Sequence, residues 1–352
     1  MIASVKGRVF ALAKSLAVRA RNDVFLHAYF KFKSLEWTDL YLRAAAGSER
    51  MIYICPYKGT GDVYLALSLL CGILKERRDE TATVCVIGAA CARIAALFGF
   101  SNIVSFEQKE MDDIMLMGTV CGFGRLNMFV LHADPPNSKM GISDRMRNYN
   151  GLNYRDMYSY GVFGMGPELE AVVPGFRPFD ESVAEYFRSN RLKPGRTVIV
   201  APSVKTLGRL PEWFWIELAA RLGQAGYSVC TNCGDDEDPV AGSVRLSVPY
   251  GMMKAYYEYA GHVISSRSGL CDVFSSFDMC KIVIYQPNVF WGSSGAMEYF
   301  SLNRMRLCDD AIEIRYQGIE FLELMDTVML SLADWERRNQ GRQHGTYARY
   351  YV

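Results

Sequence analysis

Three short segments combine glycine, hydroxyl and charged residues in a pattern that can do chemistry. The first is Cys55-Pro56-Tyr57-Lys58-Gly59-Thr60-Gly61-Asp62. It reads as a strand that runs through a glycine-rich turn into a helix. Gly59 and Gly61 let the backbone turn tightly and approach a ligand closely. Asp62 at the helix start can take a proton from a ligand hydroxyl, or it can serve only as a helix cap. Neither G-x-G-x-x-G nor a Walker A string is present, which argues against a dehydrogenase or a P-loop enzyme. The second segment, Ala201 to Trp213, holds Ser203, Lys205 and Arg209 between a strand and a helix that is expected to begin with Pro211 at its first position. Free helix N–H groups with two nearby cations suit a phosphate; an ordinary solvated loop is the alternative. The third, Ser265-Ser266-Arg267-Ser268-Gly269-Leu270-Cys271-Asp272, repeats the strand–turn–helix order, with Ser268 as candidate cap.

The elements that must position these segments alternate. Strands are expected at Met51–Pro56, Thr83–Ile87, Ile103–Phe106 and Leu126–Leu131, with helices at Asp62–Arg78, Ala89–Phe98 and about 109–120. Residues 133–176 lack clear periodicity and read as a functional loop region, with Arg145, Arg147 and Arg155 as candidates for an acceptor site. A second series follows. Its strands are Thr197–Ala201, Tyr227–Thr231, His262–Ser265 and Lys281–Tyr285. Its helices are Asp180–Arg188, Pro211–Leu222, Met252–Tyr259, Gly269–Phe277 and Ile319–Arg337. Alternation of this kind predicts an α/β chain with two doubly wound, Rossmann-like domains facing a cleft, and ligands at the carboxyl ends of the strands. The divisions are 1–50, a basic helical arm; 51–178 and 179–338, the two domains; and 339–352, a tail.

Composition narrows the function. The 352 residues hold 39 Lys/Arg and 38 Asp/Glu, and half are hydrophobic. A near-neutral balance argues against a dedicated nucleic-acid binder, and the apolar content against disorder. No charge-free apolar run reaches the ~18 residues of a membrane span. The charge is unevenly placed: residues 1–50 carry nine Lys/Arg and four Asp/Glu, and residues 1–22 carry five basic side chains and no acid. Ile2, Val5, Val9, Leu12 and Leu16 fall on one helical stripe flanked by Lys6, Arg8, Lys14, Arg19 and Arg21. Such a helix fits an anionic membrane surface or docks on its own protein. Of ten cysteines, Cys71, Cys85, Cys91, Cys121 and Cys280 lie in apolar segments, where cysteine behaves as a small hydrophobe. A reducing, cytoplasmic compartment is expected. Cys230 and Cys233 form a lone C-x-x-C, read as the end of a buried strand.

Together the three segments resemble the heptosyltransferases, inverting glycosyltransferases of the two-domain GT-B fold that include lipopolysaccharide core enzymes. The likeness covers roughly residues 51–300. Lys58-Gly59-Thr60-Gly61-Asp62 is similar to the family's Gly-Asp turn, whose Asp is the proposed general base. Arg209-Leu210-Pro211-Glu212 resembles its basic-x-Pro segment before the helix that cradles the donor diphosphate. Ser268-Gly269-Leu270 resembles its Asp-Ser/Thr-Gly-x-x-His donor loop. Where the family has Asp and His in that loop, this chain has Arg267 and Asp272; the Lys usually three residues before the Pro is Gly208.

The resemblance implies transfer of a sugar from a nucleotide-sugar to a glycan or lipid-linked acceptor in cell-surface polysaccharide synthesis. Asp62 would be the base and Lys58, Gly59, Thr60 and Gly61 the acceptor-side loop. Ser203, Lys205, Arg209, Arg267, Ser268, Gly269, Leu270 and Asp272 would be on the donor side. Arg267 is expected to face the donor and select a different, acidic sugar. Glu237, in the acidic run Asp235-Asp236-Glu237-Asp238, is expected to meet a ribose; the alternative is a solvated turn. No cofactor beyond the co-substrate and no metal are called for. A GT-B nucleotide-sugar epimerase and a non-catalytic sugar- or nucleotide-binding scaffold at the membrane are the rival readings.

Overall fold

The computed structural model describes residues 24–46, 50–77, 82–133, 151–204, 208–234, 237–286, 295–316 and 320–339. Residues 1–22, Arg145, Arg147, Lys205, Asp235, Asp236 and the tail beyond 339 lie outside them. The chain divides into two compact units, one within Met1–Ile142 and Tyr158–Pro174, the other within Ser143–Met157 and Gly175–Val352.

Among the described residues the first unit runs α1 (Val24–Ala45), β1 (Ile52–Ile54), α2 (Thr60–Arg77), β2 (Thr83–Ile87), α3 (Gly88–Leu97), β3 (Asn102–Phe106), α4 (Gln108–Cys121) and β4 (Met128–Val130). The strands form a parallel sheet in the order β3-β2-β1-β4. All residues of β1 and β2 are buried, as expected of parallel strands covered on both faces. Gly72 lets residues 169–172 run close over α2, where a Cβ would meet the Glu170 carbonyl. The Val172 N–H donates to Ser68 O, and Ser68 Oγ donates to Val172 O.

Within the stretch expected to form an arm outside the domains, residues 1–50, the described helix α1 instead packs into the first unit. Trp37, Leu40, Tyr41 and Ala44 recur every three or four residues and enter the core that also holds Ile54, Phe106, Ile114 and Met117. Two of the N-terminal cations are engaged there. Lys33 pairs with Asp113 at 2.7 Å and Glu36 at 2.8 Å, and Arg43 pairs with Glu110.

The second unit runs α5 (Glu181–Ser189), β5 (Thr197–Ala201), α6 (Glu212–Gln224), β6 (Ser228–Asn232), β7 (Val244–Leu246), α7 (Met253–Ala260), β8 (Gly261–Ser266), α8 (Gly269–Phe274), β9 (Cys280–Tyr285), α9 (Ala296–Phe300), β10 (Ile312–Arg315) and α10 (Phe321–Asn339). Its parallel sheet has the order β10-β9-β8-β5-β6-β7. Trp215, Leu218 and Leu222 of α6 share a core with Leu324, Val328 and Leu332 of α10 and with β5, β8 and β9. Asp180 caps α5 by accepting from the Ser182 N–H at 3.0 Å. Pro211 stands at the cap of α6 and Glu212 at its first position, one residue off the expected start. Cys230 and Cys233 are buried; burial pushes the Cys230 thiol up to about 12 and raises Cys233 as well, which keeps both as unreactive thiols.

Candidate functional site

Strand order decides where each unit presents its chemistry. In an open parallel sheet the crevice lies outside the carboxyl ends of the strands where the winding reverses. In the first unit the chain winds from β1 to β2 and β3, then returns to place β4 on the other side of β1. The reversal falls between β1 and β4. The loop after β1 runs through Lys58 and Gly59 into α2, where Thr60 and Gly61 are the first two residues and Asp62 is the third, in the first turn. That is inside the helix rather than at its cap. The helix dipole favours a carboxylate there, and the side chain is half-buried. An ideal Cβ on Gly59 would overlap Asp62 Oδ2, so the missing side chain is what lets the carboxylate fold back over the turn. Cys91 of α3 braces the turn from below, its Sγ donating to Tyr57 O at 3.5 Å and Lys58 O at 3.7 Å.

The loop after β4 adds residues that sequence reading did not single out. The His132 ring stacks on Tyr57, centroids 4.7 Å apart and planes 11° from parallel, and the Ala133 N–H donates to Tyr57 Oη at 2.8 Å. A half-buried imidazole and a phenol thus flank the edge that carries Asp62. Only the pairing of β1 with β4 brings them together, and pairing is invisible in the sequence. We expect Gly59→Ala to push the Asp62 carboxylate aside. Any turnover that depends on it should fall about tenfold or more, because misplacing a reacting group by an ångström is costly. Stability should change by no more than about 1 kcal/mol, since the clash is with a movable side chain; kinetics and a denaturant titration on the same sample check both.

In the second unit the reversal lies between β5 and β8. The strand order sets the loops after β9, β8, β5 and β6 side by side. They carry Gln286, Arg267–Leu270, Ser203 with Arg209, and Glu237, in that order. Two of these loops are tied together: Ser203 Oγ donates to Glu237 Oε1 at 3.2 Å, while the Gly234 N–H donates to Glu237 Oε2 at 3.0 Å. Arg209 is exposed, and its Nε donates to Val204 O at 3.2 Å.

The structure corrects the expected orientation of Arg267. Its side chain is 5% exposed and turned into the loop. Nε donates to Phe300 O at 2.8 Å, Nη2 donates to Asp272 Oδ1 at 2.6 Å, and Nη1 donates to Ser268 O and to Asp272 Oδ2. Burial would lower its pKa, but the Asp272 charge, with Tyr285 and Cys271 behind it, more than reverses this. The guanidinium is therefore charged and held by the protein itself. The two departures from the family loop pair with each other, and they fix the Ser268-Gly269-Leu270 backbone at the start of α8. Ser268 stands at the helix cap as expected. Gln286, which sequence reading did not single out, is buried; its Nε2 donates to Ser266 Oγ at 2.7 Å, and among the described residues its Oε1 has no partner.

Arg155 is likewise corrected. Rather than reaching out from a loop, it is buried, its Nη1 donating to Met305 O at 2.9 Å and Arg306 O at 3.2 Å. Among the described residues no group of three or more His, Cys, Asp or Glu could hold a metal ion. No helix among them is long and apolar enough to cross a membrane.

No protein-family model matches the sequence, and no curated protein is similar to it at the level of sequence. Solved structures do match. E. coli heptosyltransferase WaaC with ADP is 14% identical, with a TM-score of 0.51 over 80% of this chain and 98% of that one. E. coli ADP-heptose LPS heptosyltransferase II is 13% identical, with a TM-score of 0.52 over 81% and 99%. Two parallel α/β units, each with its motifs at the carboxyl edge of the sheet, and these matches over nearly the whole of both neighbours give one conclusion: the chain has the GT-B fold of the heptosyltransferases.

Proposed function

We propose that the protein transfers a sugar from a nucleotide-sugar to a glycan or glycolipid acceptor in cell-surface polysaccharide synthesis. The observation that carries this reading is the convergence of sequence motif and strand order. Each of the three motif segments falls at the winding reversal of its own sheet, the place where a parallel α/β unit binds its ligand. In the first unit Asp62 accepts the proton from the acceptor hydroxyl as the sugar is transferred. Lys58, Gly59, Thr60 and Gly61 shape the backbone around it.

In the second unit Arg209, Lys205 and the start of α6 stabilise charge on the departing diphosphate. Glu237, held by Ser203 and the Gly234 N–H, faces the nucleoside ribose. Arg267 and Asp272 act as positioning residues for the Ser268–Leu270 backbone rather than as ligand contacts. The neighbour solved with ADP supports a nucleoside diphosphate as the leaving group. No metal is needed in this scheme, because the cations of the loop and the helix dipole carry the charge.

The test is a thermal-shift panel of ADP-, GDP- and UDP-linked sugars. A ligand that binds the native state raises the midpoint, so at least one donor class should raise it. Arg209→Ala should cut that donor's affinity by about tenfold or more, the worth of a charge-assisted phosphate contact. A panel with no shift, or an Arg209→Ala variant that binds like the parent, would contradict the donor site.

A further inference from the structure

We infer that Gln286 is a specificity-determining residue, whose carboxamide reads a hydroxyl of the transferred sugar. This role rests on the donor reading of the second unit proposed above. Gln286 follows β9 at the carboxyl edge of the sheet and is 2% exposed. Its Nε2 donates to Ser266 Oγ at 2.7 Å, and among the described residues its Oε1 has no partner. Turning the amide over exchanges the two atoms and still leaves one of them unpaired. A buried amide atom without a partner is costly, and it calls for a group from outside the chain. The polar groups beside it are already engaged by the protein. Arg267 is bound to Asp272, Ser268 O and Phe300 O. Ser265 Oγ donates to Ser266 O at 2.7 Å, and Cys271 Sγ donates to Ser265 Oγ at 3.5 Å.

Register and strand order place the amide. Ser266 pairs with Ile284 in the β8–β9 ladder. Ile264 and Ile284 face the core shared with α6 and α10. Side chains alternate along a strand, so Ser266 lies on that same face, and its hydrogen bond brings the Gln286 amide to it. The start of α6, with Arg209 just ahead of it, stands at the same edge of the sheet. Adjacent strands are about 4.8 Å apart. In the order β9-β8-β5-β6 the end of β9 therefore lies two spacings, about 10 Å, from the end of β5, on the side away from β6 and Glu237. A donor with its ribose at Glu237 and its diphosphate at Arg209 carries its sugar toward β8 and β9. There Asp272 neutralises Arg267, so the sugar meets an amide rather than an unpaired cation. An amide bonds a hydroxyl directly or across one ordered water, and a site built to bond a hydroxyl rejects the analogue that lacks it.

Isothermal titration of the full chain tests it. The probes are ADP-glucose, GDP-mannose, UDP-glucose, UDP-galactose and UDP-N-acetylglucosamine, each beside its bare nucleoside diphosphate. Gln286→Met keeps the length of the side chain and removes the amide. It should weaken the nucleotide-sugar that the parent binds by about tenfold, the loss of one hydrogen bond, and leave the bare diphosphate within about twofold. Gln286→Asn draws the amide back by one methylene and should act in the same way, which keeps the test open if the Met variant does not fold. A deoxy analogue that lacks the hydroxyl should bind the parent about tenfold more weakly and lose nothing further in Gln286→Met. Equal weakening of sugar and bare diphosphate would make Gln286 a structural residue. A variant that binds the nucleotide-sugar like the parent, or a parent that binds a bare diphosphate but none of its sugars, would overturn the inference and leave the diphosphate site standing. A parent that binds no probe at all would overturn the donor reading, and this role with it.

Discussion

Asp62→Asn is expected to lower the turnover number by about 10²–10⁴-fold, the contribution of a positioned general base, while nucleotide-sugar affinity stays within about twofold of the parent. The reasoning starts from local geometry. Asp62 lies in the first turn of α2, its carboxylate folded over Gly59, whose missing Cβ leaves the room. Asparagine has the same shape, so it fills the same space and leaves the turn intact. Its amide is neutral and is no base, so only the chemical step suffers. The loss should appear in kcat and kcat/KM together, as for an interaction made only in the transition state. Single-turnover kinetics beside a binding isotherm separate the two quantities. An Asn variant with normal turnover would remove Asp62 from the mechanism and leave Gly59–Asp62 as a structural turn.

The second large effect concerns the pair that replaces the family residues. Arg267→Ala or Asp272→Ala is expected to destabilise the fold by about 3–5 kcal/mol, because each leaves an uncompensated buried charge. Both side chains are almost wholly inaccessible, 5% and 8% exposed, so solvent screens little of the interaction. The double change Arg267→Met/Asp272→Leu should recover most of the loss, since removing a buried pair together is often neutral. Denaturant midpoints of the parent and the three variants check both expectations. The ligand arm is equally specific. The guanidinium is bound to Asp272, Ser268 and Phe300 rather than facing outward. The single variants should therefore bind every nucleotide-sugar more weakly without changing the preference among sugars. A changed preference would return Arg267 to direct donor contact, and a loss below about 1 kcal/mol would show that the pair is not what holds the loop.

Much of the fold is legible in the sequence, and the reasons differ from element to element. The runs Thr83–Ile87, Thr197–Ala201 and Lys281–Tyr285 are short, apolar and rich in β-branched residues, as buried parallel strands must be, and all three are strands. Helix α6 announces itself through Pro211 and a clear apolar stripe. By contrast, α1 is apolar on most of its circumference, so no single face stands out and its place in the first unit is hidden. The strands β7 and β10 stand at the two edges of their sheet and are only partly buried, so neither carries the continuous apolar run of a central strand.

The site was half legible. Of the candidate residues, Ser203, Arg209 and Ser268 lie between a strand and a helix and Asp62 in the first turn of the helix that follows β1, which is a local pattern. His132 and Gln286 join the candidate site only through strand order, a long-range property. The inward turn of Arg267 needed one further fact, that Asp272 five residues on faces the same way across the start of α8.

The most direct test of the account is nucleotide release. The purified chain is mixed with a nucleotide-sugar that stabilises it, with and without a panel of cell-surface glycan and glycolipid acceptors, and free nucleoside diphosphate and the sugar are followed. Transfer predicts release that depends on an acceptor and is lost in Asp62→Asn, with the sugar found on the acceptor. Epimerised donor formed without acceptor, or a bound donor that no acceptor of the panel causes to be released, would contradict it.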